Sequence, residues 1–302
     1  MIQNDGDVNG KGLAGTIYER AYLRLNAGLA MLKISSFDAL TTINSNNEHV
    51  FGKFSVTLDI MHPSQWHTLA TCLLDTQNFV RERFLIKLHK GLISLNLTLE
   101  FLAFFALGGV MEDGLFKKKM RQFMIANINK RREVVKSRST SNAKAVMPDC
   151  VLPYVVHLLA NMPFYPVYTN TRTPELDKVQ ACMWFILEPL VMQNEQYSFS
   201  FFKRNFDNIK LCVDRCGQAL LKNDSKCEDQ VNNTNLKIYC ICDIGLGLVM
   251  SKTQNFISKE FPIEASLPGK YYTGMLYNIK LNIYIYIFFL KLFFKYLFFK
   301  FL

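Results

Sequence analysis

Apolar side chains recur at intervals of three and four residues in one block of this chain after another. That spacing, more than any single motif, limits what the chain can fold into. In PSQWHTLATCLLD, Trp66, Leu69, Ala70, Leu73 and Leu74 fall at i, i+3, i+4, i+7 and i+8, which sets them on one side of a helix, and Ser64 stands where a cap belongs. The next block, FVRERFLIKLHKGL (79–92), gathers Val80, Phe84, Leu85, Leu88 and Leu92 on one side and Arg83, Lys87 and Lys90 on the other. Only a short break, Asp75 to Asn78, lies between them, so the pair is expected to form an antiparallel hairpin.

The pattern continues along the chain. Residues 97–112 are almost wholly apolar, and 114–138 form a helix that carries a basic run. Val155, Leu158, Leu159 and Met162 follow Pro153. After a polar loop at 165–173, Thr173 and Pro174 read as an N-cap and first helical position, and Val179, Cys182, Met183, Ile186, Leu187 and Leu190 define a face, with a kink expected at Pro189. Segments 195–212 and 236–252 make a last pair, joined by a polar stretch at 222–235, while 16–34 is a long helix and 50–61 is ambiguous. With 15 Gly and 9 Pro in 302 residues, turn signals are sparse and strand-type alternation is hard to find. Helix pairs on a loose period of tens of residues fit an all-α architecture, an α-solenoid of HEAT-like hairpins forming an armadillo-like superhelix, better than a four-helix bundle.

The expected organisation is a disordered N-terminus (1–15), helical repeats (16–253), an irregular segment (254–273) and a low-complexity tail (274–302). The first fifteen residues lack the basic start and apolar run of a signal peptide, so the cysteines are expected to be reduced thiols and the sequons at Asn96 and Asn232 to carry nothing. Residues 278–302 use only Asn, Ile, Lys, Leu, Tyr and Phe, the pattern of translated AT-rich DNA and hence of a gene-model artefact. The competing reading is a membrane anchor over 281–302, opposed by Lys291, Lys295 and Lys300 inside the span. Attachment to a membrane surface is a third.

Catalytic signatures are missing. There is no phosphate-binding or dinucleotide-binding glycine loop, no nucleophile elbow and no His-Glu-x-x-His, so no enzyme activity and no cofactor is expected. Cys212, Cys216, Cys227, Cys240 and Cys242 could be drawn as a zinc site, but Cys240 and Cys242, two apart in a helix, point to different faces, and buried thiols are the ordinary reading. The histidines at 49, 62, 67, 89 and 157 show no carboxylate at catalytic spacing, and His62 and His67 flank a helix start, where capping or exposure is usual. Gly245 and Gly247 in GLGLV are expected to let helices approach closely.

Charge is where a function could sit. The net charge is +10, yet residues 114–145 hold ten basic side chains and one acid, the C-terminal 274–302 four lysines and no acid, and the remainder is net −3. Lys117, Lys118, Lys119, Arg121, Lys130, Arg131, Arg132, Lys136 and Arg138 are the candidate contacts for a polyanion, either DNA or an acidic partner. A solvated helix face and a nuclear localisation signal explain the same run. No aromatic residues interleave with it, which argues against single-strand stacking.

Eight segments, YLRLNAGLAMLKI (22–34), FVRERFLIKLHKGL (79–92), LTLEFLAFFALGG (97–109), ANINKRREVVKS (126–137), VLPYVVHLLA (151–160), ACMWFILEPL (181–190), NEQYSFSFFKRNFDNIKL (194–211) and IYCICDIGLGLVMSK (238–252), occur in an order that resembles the C-terminal HEAT-repeat region of sister chromatid cohesion proteins of the Pds-five type. The resemblance covers about 16–273. It implies a non-catalytic, chromatin-associated nuclear scaffold of mitosis that maintains and releases cohesin, with the kleisin subunit of cohesin and Wapl-type and sororin-type regulators as partners. It also implies that the chain is a fragment, because family members are far longer and carry a large N-terminal HEAT array. A membrane-associated helical protein and a generic helical-repeat adaptor are the alternatives. An array cut at one end is expected to expose apolar surface near the 16–34 helix and to be marginally soluble.

Overall fold

The computed structural model of the chain describes residues 16–44, 61–137, 146–168, 171–192, 199–217, 228–252 and 266–273. Among them it is helical almost throughout, the all-α repeat architecture that the spacing predicts. The expectations for 1–15, for most of 50–61 and for the 274–302 tail fall outside the described residues. Within those residues no helix is long and apolar enough to cross a membrane.

Helix α1 (Ile17–Asn44) runs past its expected end at 34. A reciprocal box starts it: the Glu19 amide donates to Thr16 Oγ1 at 3.3 Å and the Thr16 amide donates to Glu19 Oε2 at 2.6 Å. Ala21, Leu25 and Leu32 form its buried stripe. Its other side leaves Ile17, Tyr18, Tyr22, Leu23 and Ile34 at 37–66 % exposure, the apolar surface expected near the first helix. Helix α2 (Pro63–Ala70) is capped by His62 and not by Ser64. Pro63 has no N–H to offer and takes the first helical position, which moves the cap one residue back. His62 Nδ1 accepts from the Ser64 amide at 3.3 Å, and Gln65 Oε1 accepts from the His62 amide at 2.9 Å.

Helix α3 (Asn78–Ile93) buries Val80, Phe84, Leu85, Leu88 and Leu92, the stripe read from the sequence. The hairpin expected with α2 is not its main packing, because α2 is only two turns long and gives way to a 3₁₀ turn at Thr71–Leu74. Helix α3 lies instead between α1 and α4 (Gly114–Ser137). Arg81 sits over the Phe116 ring, 5.6 Å from its centroid, and His89 stacks on Phe123 at 4.0 Å. These contacts climb both helices in the same direction, so α3 and α4 run parallel.

Between them the apolar stretch is not the α-helix that its length suggests. Leu99–Val110 is a run of 3₁₀ turns, unusually long for that geometry. With three residues per turn its side chains form three ridges, and nine of its twelve residues are buried, so a core element wanted on every side is what this run supplies. Glycines set the approach: a Cβ on Gly108 would strike the Phe185 ring, and one on Gly109 would strike the backbone of Ala181 and Cys182 in α6 (Pro174–Met192).

From there α5 (Leu152–Ala160), α6, α7 (Phe199–Lys210) and α8 (Glu228–Lys252) complete the stack. Every residue predicted for the α6 face is buried. Helix α8 begins at Glu228, so residues 228–235 are helical and not part of a polar linker. Its Gly245 lets the Phe206 ring approach to 2.5 Å from where a Cβ would stand, whereas Gly247 faces open space; the expectation of close packing holds for the first glycine alone. The described end of the irregular 254–273 segment folds back across the middle of the chain. Val213–Asp214 (β1) pairs antiparallel with Tyr272–Thr273 (β2), Tyr272 Oη donates to Pro153 O at 2.7 Å, and the Tyr271 ring lies 5.4 Å from Trp66.

Candidate functional site

The basic run lies on α4, and the structure sorts its cations into two sets. Asp113 caps the helix, its Oδ1 accepting from the amides of Leu115 and Phe116 at 3.0 and 3.2 Å. Phe116, Met120, Met124, Asn127, Ile128 and Arg131 then form the buried stripe. Arg131 is 2 % exposed and its Nη2 donates to Leu97 O at 3.0 Å, in the turn that leaves α3 through Leu95 at φ 60°. Burial lowers its pKa to about 10. Arg132 is mostly buried too: its Nη2 donates to Leu190 O at 3.2 Å, satisfying a carbonyl at the C-terminal end of α6, and stands 3.8 Å from Asp149. Arg121 pairs with Glu188 at 2.6 Å and lies over Phe185, and Lys117 donates to Gly109 O at 3.3 Å. These four hold helices together.

The second set faces water. Lys118, Lys130 and Lys136 are exposed and Lys119 is half-exposed. Lys130 has Glu133 at 3.8 Å, a contact between exposed groups that contributes little. Arg138 and Lys144 lie outside the described residues. Periodicity divides the run where a count of charges does not, since Arg131 falls on the stripe of Phe116, Met120, Met124 and Asn127. Glutamate at Arg131 would bury a negative charge beside a carbonyl, so its effect would be on folding and not on any phosphate contact.

A second polar constellation has no signature in the sequence, because its members are up to 147 residues apart. His67 Nε2 lies 2.9 Å from His157 Nδ1, and His157 Nε2 lies 2.9 Å from Asp214 Oδ1. His67 is not the exposed or capping residue expected, and His157 does meet a carboxylate. Asp214 is further held by the amides of Cys216 and Gly217, at 3.2 and 2.8 Å, and its own amide donates to Asn235 Oδ1 at 2.8 Å. Burial works to raise the Asp214 carboxyl, but the bond to His157 first, and then the Gly217 and Cys216 amides, hold it below its ordinary range. Burial first, then His157, pushes the His67 pKa well down.

His157, Asp214 and Cys216 place three donor atoms within 4.8 Å of one another, the group among the described residues that could hold a metal ion. Both ring nitrogens of His157 and both oxygens of Asp214 already have partners in the chain, and burial raises the Cys216 thiol to about 12, so the centre is satisfied as a hydrogen-bonded core. The cysteine-only set does not gather: Cys242 is buried and Cys240 half-buried on another face of α8, and Cys227 lies outside the described residues.

The comparisons with known proteins agree with the helical stack. The sequence model of the sister chromatid cohesion protein PDS5 family matches residues 1–273. The chain is 32 % identical over 277 residues to sister chromatid cohesion protein PDS5 homolog B of Gallus gallus, a match covering 90 % of this chain and 17 % of that protein. Homolog B of Homo sapiens matches at 31 % identity with the same coverage, and homolog A of Mus musculus at 34 % over 222 residues, 71 % of this chain and 15 % of that one. The chain thus spans about a sixth of the length of these relatives. A match over nearly the whole chain, on a helical stack whose predicted faces are the buried ones, places this protein in the PDS5 family of sister chromatid cohesion proteins.

Proposed function

We propose that this chain is a non-catalytic helical scaffold that associates with cohesin and regulates sister chromatid cohesion in mitosis, corresponding to the C-terminal HEAT-repeat region of its relatives. The family match over residues 1–273 carries the reading. A stack of helices fastened internally by Arg121, Arg131 and Arg132 suits a protein whose work is to hold surfaces in place. The kleisin subunit of cohesin and Wapl-type and sororin-type regulators are the proposed partners, and chromatin in the nucleus the proposed location. Lys118, Lys119, Lys130 and Lys136 are its proposed polyanion contact. Affinity purification of the endogenous protein from nuclear extract, with mass spectrometry of what accompanies it, tests the reading. Recovery of cohesin subunits is expected; a preparation without them overturns it.

A further inference from the structure

The cations of α3, set aside in the sequence as a solvated side, lie beside those of α4. Arg83, Lys87 and Lys90 are exposed on α3, and Lys118, Lys130 and Lys136 are exposed on α4 with Lys119 half-exposed. The two helices are parallel neighbours, with Arg81, His89, Phe116, Phe123 and Asn127 at the seam. Moving outward from that seam at 100° per residue, α3 presents Lys90, Arg83 and then Lys87. Helix α4 presents Lys119 and Lys130, three residues beyond Phe116 and Asn127, and then Lys118 and Lys136. In parallel helices the two rotations run in opposite senses, so Lys90, Arg83, Lys119 and Lys130 open on one side, with Lys87 at its α3 edge and Lys118 and Lys136 at its α4 edge. Against these seven cations the two helices turn out two carboxylates, Glu82 and Glu133. Among the described residues no acceptor lies within bonding distance of Arg83, Lys87, Lys90, Lys118, Lys119 or Lys136.

We propose that α3 and α4 together form one cationic surface that binds duplex DNA through its phosphates. This rests on the polyanion reading above and names its partner. The surface is long, roughly 27 Å from Lys118 to Lys136 at the helical rise, and two helices wide. It carries no apolar anchor: of the large hydrophobic residues on these helices only Leu115, at the start of α4, is well exposed. A protein partner would need such an anchor to gain most of its binding energy, whereas phosphates need only cations. Six of the seven cations are lysines, point charges that meet phosphate oxygens without reading bases, so binding is independent of sequence. Exposed aromatics for stacking unpaired bases are absent from the described part of this face, which selects duplex over single strand.

The test is fluorescence anisotropy of a labelled mixed-sequence duplex with the full 302-residue chain across a salt series. Affinity is expected to fall roughly 10³-fold between 50 and 200 mM salt. The pair Lys87→Gln/Lys90→Gln on α3 and the pair Lys118→Gln/Lys136→Gln on α4 should each lower the log–log slope, by about 0.9 for every phosphate left without its cation. Arginine at the same positions should keep it, which separates charge from folding. An unchanged slope in the α3 pair overturns the composite surface. Displacement of the duplex by polyglutamate at lower charge concentration than by unlabelled duplex also overturns it, in favour of an acidic protein. Recovery of cohesin by the same variants reads the scaffold proposal separately: a lowered slope with cohesin still recovered supports the DNA contact, and an unchanged slope sinks it whether or not cohesin is present.

Discussion

His67 and His157, ninety positions apart, share one hydrogen bond of 2.9 Å, and Asp214 decides which of them donates. With the Asp214 carboxylate accepting from His157 Nε2–H, the tautomer that fits leaves His157 Nδ1 to accept from His67 Nε2–H. Protonating His67 at its other nitrogen would put a cation into a buried site, and its pKa is accordingly held well below the ordinary 6.5. The unfolded chain therefore binds more protons than the folded one below pH 6.5, so this contribution is full above 6.5 and is lost as pH falls. Urea unfolding at pH 7.5 and pH 5 should show stability falling by at most about 1.4 kcal/mol per pH unit for this group. His67→Gln should remove most of that slope, the half-exposed His89 adding a weaker one of the same sign.

Asp149 gives the opposite sign. Its side chain is fully buried, neither oxygen has a hydrogen bond, and Arg132 is its ion-pair partner at 3.8 Å. Burial raises the carboxyl to about 6, with Arg132 pulling the other way. Between pH 3.8 and about 6 the folded state holds the extra proton, so stability from this group is lost as pH rises through that window. Asp149→Asn should remove this contribution, so the variant's unfolding free energy relative to the parent's should rise by about 1–2 kcal/mol between pH 4 and pH 7.5. A lower value at pH 7.5 would show that Arg132 needs the charge.

The glycine pair of α8 offers a matched comparison. Gly247→Ala meets nothing and should stabilise by about 1 kcal/mol through helix propensity. Gly245→Ala pushes a methyl against the Phe206 ring and should destabilise by about 1–3 kcal/mol. Thermal melts of the two variants should move in opposite directions.

Arg24 fastens α1 to the turn before α3. Its Nε and Nη2 donate to the two oxygens of Asp75 at 2.7 and 3.0 Å, and both side chains are about nine-tenths buried. Asp75→Ala takes the bidentate carboxylate away from a buried guanidinium and frees the Gln77 amide as well, so a destabilisation of about 3–5 kcal/mol is expected. Limited proteolysis should then cut within α1 before any other helix.

These effects divide by whether the sequence announces them. The buried faces of α3 and α6 were legible because each apolar stripe repeats at 3.6 residues and is free of charged residues. The 99–110 run was not, since a segment buried on all sides has no periodicity to separate α from 3₁₀. On α4 the stripe and the charges overlap: Arg131 is cationic in composition and a core residue in position. The His67–His157–Asp214 line could not be seen at all, because tertiary contact alone brings α2, α5 and β1 together.

The return of residues 266–273 sets an order of assembly. Tyr271 closes over Trp66 and His157, and Tyr272 reaches Pro153, so the rings that cover the centre of the stack are among its last described residues to be made. On a ribosome adding about 5–20 residues per second, roughly ten to forty seconds separate the synthesis of Trp66 from that of Tyr271. During that interval the indole lacks its Tyr271 cover, and so does His157 from its own synthesis onward. Holdase chaperones that sample nascent chains would find this protein around Trp66, and would lose their hold when β1 and β2 pair.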